Sequence, residues 1–366
     1  MNMNTPITKT DQTERADEAL PMDTRPYAGD VAKATRRSWR KLKPYGLIIF
    51  TVLLLAGLAL FSAMTGSIKV SFGELLSGLM SGTNEQVGII KDLRFPRIIV
   101  SMLSGAALAV SGALLQAVMK NALAEPGIIG ISSGAGLVSI TVVTLFPMLY
   151  FWSPLFSVLG GALACYLVYS LSWRTGLNPL RLILVGIAIN ATFTGLGQSF
   201  NYRGSYAVTS VNQAISSIFT MKTWEDVHIL AIFGGIGLIV SLLLGGWCNM
   251  LAFNDETARN LGLRVVRVRL LISAVAVLLA SVATAIGGLI MFVGLLVPHI
   301  GRALVGSSYK LLIPFSALGG ALLVLAADTI GRTVLAPAEI PASIIMAVIG
   351  GPFLIIMLKR SDRLNK

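Results

Sequence analysis

The chain has 366 residues, of which 55% are hydrophobic and only 13% charged, and it carries a formal net charge of +12. Soluble domains carry roughly 25% charged residues, so the balance excludes an ordinary soluble protein. The basic excess lies in short loops and tails between apolar runs, which is what membrane topology produces, and nucleic acid is not an expected partner.

Residues 1–44 are polar and lack the apolar core and small-residue cleavage site of a signal peptide, so an unstructured cytoplasmic tail is expected there. A helix needs about 20 mostly apolar residues to cross hydrocarbon. Runs of that kind occupy 45–64, 98–119, 128–146, 153–173, 182–200 and 227–247. Polar residues 65–97 separate the first two runs. A mixed stretch, 201–226, follows the fifth, and its amphipathic piece 211–221 suits the interface or a re-entrant path. From Leu270 to Pro298 no residue is charged. That stretch would make roughly 44 Å of helix at ~1.5 Å per residue, too long for one untilted crossing of about 30 Å. Gly287 and Gly288 are the natural hinge, giving spans 270–286 and 289–305. Spans 311–329 and 340–358 follow, with a short tail at 360–366.

The predicted fold is an all-α integral membrane protein, a tightly packed bundle of ten transmembrane helices over 45–359. Ten crossings put both termini on one side, and the excess of Lys and Arg in the tails and alternate loops makes that side cytoplasmic. Small residues recur in the spans, as in Ser104-Gly105-Ala106-Ala107, Gly160-Gly161-Ala162 and Gly319-Gly320-Ala321. Lipid gives no hydrophobic drive between helices, so such residues serve close backbone packing. Cys165 and Cys248 have no paired or metal-ligand spacing and read as packing residues.

One short polar helix is expected in the cytoplasmic loop 249–269, from Asn254 to Arg264. Asn254 or Asp255 would cap it, Glu256 suits the positive end of its dipole, and Gly262 supplies a left-handed stop. A helix of about two turns is marginal in water and needs a surface to pack on. Ala258 and Leu261 would share a face, with Arg259 beside them. Either this is a plain interhelical loop, or it is a docking element for another protein.

No phosphate loop, zinc-protease motif or activated nucleophile occurs, so an enzyme is not expected, nor a cofactor or bound metal. Ion-driven carriers place ionisable groups in mid-membrane, and these span interiors are almost bare of them. Energy must then enter through another subunit, which favours the docking reading. On the outer face Arg94, Arg97 and Arg332 stand where the charge bias disfavours them. They suit either lipid headgroups or the acidic side chains of an external protein. Asn190, Thr192, Thr194 and Gln198 are candidates for lining a polar path along the fifth span.

Three blocks carry a family resemblance. The first is Leu93-Arg94-Phe95-Pro96-Arg97, continuing through Gly105 to Ala113 and Gln116 to Asn121, then Leu123-Ala124-Glu125-Pro126-Gly127 and Gly130 to Ala135. The second is Phe292-Val293-Gly294-Leu295 with Val297-Pro298-His299-Ile300 and Arg302. The third is Asp328 to Arg332, Glu339-Ile340-Pro341 and Ile349-Gly350-Gly351-Pro352-Phe353. The chain resembles the FecCD permeases of ABC importers for ferric siderophores, haem and cobalamin, the type II importers that include the cobalamin permease. The resemblance implies a second permease subunit, identical or sister, two copies of a cytoplasmic ATP-binding cassette ATPase that bind the ATP, and an extracytoplasmic siderophore-binding protein. It implies ATPase coupling at Asp255, Glu256, Ala258, Arg259, Leu261 and Gly262, and docking of the binding protein at Arg94, Arg97 and Arg332. It further implies a cytoplasmic gate at Asn121 and Leu123. A ferric siderophore is the expected cargo, with haem or cobalamin as alternatives. The rival of another class is an ATP-independent secondary carrier.

Overall fold

A computed structural model describes residues 28–66, 73–74, 85–172, 179–199, 219–336 and 338–364. Contacts divide the chain into two compact units, Met1–Lys43 and Pro44–Lys366. Every regular element among the described residues is helical. Helix α1 is Ala28–Met64, so helix begins inside the tail expected to be unstructured. Helix α2 (Glu85–Ile89) passes through a π-helical turn, Ile90–Arg94, into α3 (Phe95–Met119). A short α4 (Pro126–Ile129) precedes α5 (Ile131–Leu145), and a 3-10 turn, Pro147–Trp152, leads to α6 (Ser153–Ser172). Then come α7 (Pro179–Gln198), α8 (Trp224–Leu251), the small α9 (Asp255–Asn260) and α10 (Val265–Gly287). The chain finishes with α11 (Val293–Val305), α12 (Tyr309–Val334) and α13 (Ala342–Leu364).

Six of these helical stretches, those ending at Met64, Met119, Ser172, Leu251, Gly287 and Val334, are long and apolar enough to cross a membrane. Four shorter apolar helices lie at Ile131–Leu145, Ile183–Gln198, Val293–Val305 and Ala342–Met357. The amphipathic piece 211–221 lies almost wholly outside the described residues.

Helix α3 is the axis of the bundle. Its apolar window is 83% buried, against 22% for α1, and it packs on α8, α10, α11 and α12. Glycine is what lets it do so. A Cβ on Gly105 would lie 2.2 Å from the carbonyl oxygen of Gly320, and one on Gly112 would lie 2.1 Å from that of Gly294. The pair Gly134 and Gly160 joins α5 to α6 in the same way, at 2.5 and 2.3 Å. Backbones in such contact gain dispersion energy that neither helix finds in lipid. Buried hydroxyls add cross-links, Ser111 Oγ donating to the Ala276 carbonyl at 2.6 Å.

Helix α10 ends at Gly287, as the long uncharged run required, and Gly288 follows with a positive φ of 79°. The eighth apolar run does not resume helix at Leu289. Residues 288–292 are non-helical and α11 starts only at Val293. The chain doubles back along α3, from Gly287 against Ser104 to Gly294 against Gly112. Within the break Gly288 and Ile290 are buried while Met291 is exposed, so most of the irregular backbone is covered by protein, as it must be at membrane depth. The third span is likewise interrupted, at Gly130 (φ 86°), where a Cβ would meet the backbone of Asn190 at 3.3 Å.

Candidate functional site

Helix α9 stands between α8 and α10 at one end of the bundle. Asn254 occupies its N-cap position in extended backbone, yet no side-chain cap bond forms there. Asp255 is not a cap either, because its carboxylate is drawn sideways. It accepts from Lys120 Nζ at 2.8 Å and from Arg269 Nη2 at 3.1 Å. The Lys120 hydrogen bond, with Arg269 adding its charge, holds the Asp255 carboxyl below the usual carboxylate range. Gly262, at φ 84°, ends the element as expected. Ala258 and Leu261 do not share a face. Ala258 is 1% exposed and roots α9 in the core, while Leu261 is 57% exposed because the chain leaves helical geometry at 261. The solvent side of α9 therefore presents Glu256, Arg259 and Leu261, with exposed Phe253 beside them.

Lys120 links this helix to the turn that follows α3. It is the C-cap of α3, in the left-handed region at φ 49°, and its Nζ also donates to the Phe253 carbonyl at 2.7 Å. Asn121 comes next and closes a tight turn: its Oδ1 accepts from the Leu123 N–H at 2.9 Å and its carbonyl from the Ala124 N–H at 3.2 Å. Asn121 and Leu123 are thus joined by a hydrogen bond. The turn ends at Glu125, which is 1% exposed. Glu125 Oε1 accepts from the backbone N–H of Phe292, at the N-terminus of α11, at 3.2 Å. Burial pushes the Glu125 carboxyl up to about 7, with the backbone N–H groups of Phe292 and Leu295 opposing that rise. Phe292 itself sits at φ 69° and its ring fills the space that Gly350 leaves, where a Cβ would be 2.3 Å from Phe292 Cγ. Glu125, Phe292 and Gly350 bring one residue of each of the three sequence blocks to a single junction.

The three arginines cluster at the opposite end. Arg97 Nη2 meets Asp328 Oδ1 at 2.8 Å and its Nη1 meets Glu339 Oε1 at 3.0 Å, while Thr220 Oγ1 also donates to Glu339. Burial alone would raise Glu339, but the hydrogen bonds from Arg97 and Thr220 hold its carboxyl below the usual range. Arg94 Nη1 donates to the Ala63 carbonyl at 2.7 Å, and Arg332 donates to the carbonyls of Thr65 and Ser62. The bonds to Ala63 and Ser62 satisfy last-turn carbonyls of α1, and the bond to Thr65 that of the residue just after it, where cations also complement the helix dipole. All three arginines thus hold partners within the chain, a use the sequence reading did not foresee.

On α7, Asn190 and Thr194 are half-buried on one face, one turn apart, whereas Thr192 and Gln198 are exposed. Thr194 lines a small hollow with Ser133, Ile140 and Leu289. Thr192 spends its hydroxyl on the Ala188 carbonyl. Lys120 and Arg269 were missed as site residues. Their sequence signal was only that of loop cations, since nothing in the order of residues tells which carboxylate they meet.

The profile of the FecCD transport family matches residues 52–360. The chain is 41% identical over 317 residues to the Staphylococcus aureus protein named "Probable heme-iron transport system permease protein IsdF" of strain MSSA476, an alignment covering 87% of this chain and 96% of that one. The strain Newman protein of the same name matches equally, at 41%. Among solved structures, an inward-facing ABC transporter described as of metal-chelate type superposes with a TM-score of 0.73 at 27% identity, covering 86% of this chain and 99% of that one. The Streptococcus pneumoniae PsaBC structure in complex with Fab shares the fold, with a TM-score of 0.56 at 17% identity and coverage of 78% and 95%.

Proposed function

The chain belongs to the FecCD transport family, as a permease subunit of an ABC importer in the cell membrane, and we propose that its cargo is an iron chelate, haem iron before a ferric siderophore. The observation that carries the haem reading is the 41% identity, over nearly all of both chains, to a permease named for haem-iron transport. The permease is not an enzyme, and ATP is hydrolysed by a partner ATPase.

The remaining assignments belong to the same proposal. Six long and four shorter apolar helices support ten crossings, and the Lys and Arg bias of the tails and alternate loops supports placing both termini in the cytoplasm. Helix α9 then faces the cytoplasm, and its exposed Phe253, Leu261, Glu256 and Arg259 form the contact for one of two ATPase copies. The turn at Asn121 and Leu123 gates the cytoplasmic exit. A second permease chain, identical or sister, completes the pathway, with Asn190, Thr194 and Gln198 along it, because an iron chelate is too large for one tightly packed bundle. An extracytoplasmic binding protein delivers the cargo, its carboxylates meeting the surface around Arg94, Arg97 and Arg332. ATP binding would shift the assembly between outward- and inward-open states.

The test is uptake of radiolabelled iron in cells lacking this chain, given haem, a hydroxamate siderophore and a catecholate siderophore, with cobalamin uptake measured in parallel. Loss of haem-iron uptake alone, restored by the intact gene, supports the haem reading. Loss confined to one siderophore transfers the assignment to that chelate, and loss confined to cobalamin removes iron altogether. Full uptake with a hydrolysis-dead partner ATPase would instead mean a secondary carrier.

A further inference from the structure

The gate turn is tied at both ends. At Lys120 it is held to the segment that enters α9, and at Glu125 to the start of α11. Between the two anchors the turn is closed on itself by the Asn121 to Leu123 and Asn121 to Ala124 hydrogen bonds, and Asn121 N–H returns to the Gln116 carbonyl of α3. Lys120 joins two bodies that are each held together by their own hydrogen bonds. On one side stands the hydrogen-bonded turn. On the other stands α9, fixed by the buried Ala258 and by the Leu263 N–H bond to the Ala258 carbonyl.

We propose that Lys120 is the positioning residue through which motion of α9 reaches the gate turn, its ammonium grasping both Asp255 and the Phe253 carbonyl. This rests on the proposed roles of α9 and of the Asn121–Leu123 turn, and adds the part that joins them. The chemistry suits the task. Lys120 and Asp255 are about two-fifths exposed, at 36% and 41% of their side chains, and ion pairs in that setting contribute little to stability and exchange readily. What the pair supplies is direction: two bonds from one ammonium to the start of α9 fix where the turn sits relative to it. Arg269 of α10 holds the same carboxylate, at both Oδ1 and Oδ2, so Asp255 is shared between a helix of the bundle and the gate turn. Lys120 is itself the left-handed residue that ends α3, so moving its side chain acts on the backbone where helix gives way to turn.

The test uses the complete transporter with its ATPase, reconstituted in liposomes. A cysteine is placed at Ala122, which is exposed, in a chain whose two buried cysteines are replaced by alanine. The readout is the rate at which a membrane-impermeant maleimide labels Ala122→Cys from the ATPase side, without nucleotide and with ATP plus vanadate. The parent chain should change its labelling rate about tenfold between the two states. Lys120→Met should keep ATP hydrolysis but reduce that change to less than twofold, and Lys120→Arg, which keeps charge and reach, should restore most of it. A full nucleotide-dependent change in Lys120→Met overturns the inference. Should Lys120→Met not assemble, Lys120→Gln, which removes the charge and shortens the reach while leaving the Asp255–Arg269 bonds in place, is scored by the same criterion. Glu256→Arg on the exposed side of α9 separates the premises. If it too leaves the change intact, α9 is not the coupling element and the underlying reading fails. If it abolishes the change while Lys120→Met does not, only the role of Lys120 falls.

Discussion

The guanidinium of Arg97 on α3 grips the carboxylate of Asp328 on α12, with Nη2 and Oδ1 2.8 Å apart across 231 positions of sequence. The Asp328 side chain is only 3% exposed and that of Arg97 only 11%. Removing one member of a buried pair leaves the other charged and uncompensated, at a cost of roughly 3–5 kcal/mol, whereas replacing both with apolar groups is often neutral. Arg97→Met should therefore lower the thermal midpoint of the purified chain sharply, and adding Asp328→Leu should recover the part that comes from the buried Asp328 charge, while Glu339 keeps only its Thr220 bond. Equal destabilisation by the single and double variants would show that the pair is not what holds α3 to α12.

Gly105 and Gly320 set a second test of the same interface. The carbonyl oxygen of each blocks a Cβ on the other at 2.2 Å, and the obstacle is backbone, which cannot rotate away. Overpacking a tight contact costs about 1–3 kcal/mol. Gly105→Ala should destabilise by that amount in detergent unfolding, while Gly235→Ala, with open space around it, should change stability by less than about 0.5 kcal/mol.

Glu125 gives a pH dependence with a definite sign. Its carboxyl, ordinarily near 4.5, is pushed up to about 7, so the folded chain holds a proton that the unfolded chain has lost. Stability from this group is complete below about pH 4.5 and declines as pH rises towards 7. Glu125→Gln keeps an acceptor for the Phe292 N–H, and unfolding measured from pH 4.5 to 8 should lose this component of the slope. An unchanged slope would place the titration elsewhere.

The exposed side of α9 makes a prediction about coupling. Leu261→Asp puts a charge where a partner would bury an apolar group, and Glu256→Arg reverses a charge beside it. Each variant should fold with an unaltered thermal midpoint yet lose ATP-driven uptake at least tenfold. Uptake at the full rate in both would remove α9 from the ATPase contact.

At the opposite end, Arg94→Glu and Arg332→Glu should weaken capture of the binding protein, and the loss should grow as ionic strength falls, because like-charge repulsion is screened by salt. The same variants abandon the last-turn carbonyls of Ala63 and Ser62 in α1, so a fall in thermal midpoint is expected as well. Arg94→Gln and Arg332→Gln, which keep amide donors, separate the two effects. Binding unaffected by charge reversal at every salt concentration would confine these arginines to the cap of α1.

Residue order alone determined that the chain is an apolar helical membrane protein, where most helices run, that the run from Leu270 must break at Gly287 and Gly288, and that Gly262 stops the short polar helix. These follow from local physics: apolar length against bilayer thickness, and the freedom of glycine at positive φ. It also marked Gly105 and Gly320 as packing residues without naming them as each other's partners. Only the tertiary structure decided that Gly287 lies buried against Ser104, that Ala258 turns into the core while Leu261 faces out, that Arg97 is spent on Asp328 and Glu339, and that Lys120 holds Asp255. The reason is range. Helix propensity and hydropathy act between near neighbours and can be read from spacing, whereas the partner of a charge or the opposite face of a glycine is chosen by how distant helices come together, and no local pattern encodes that choice.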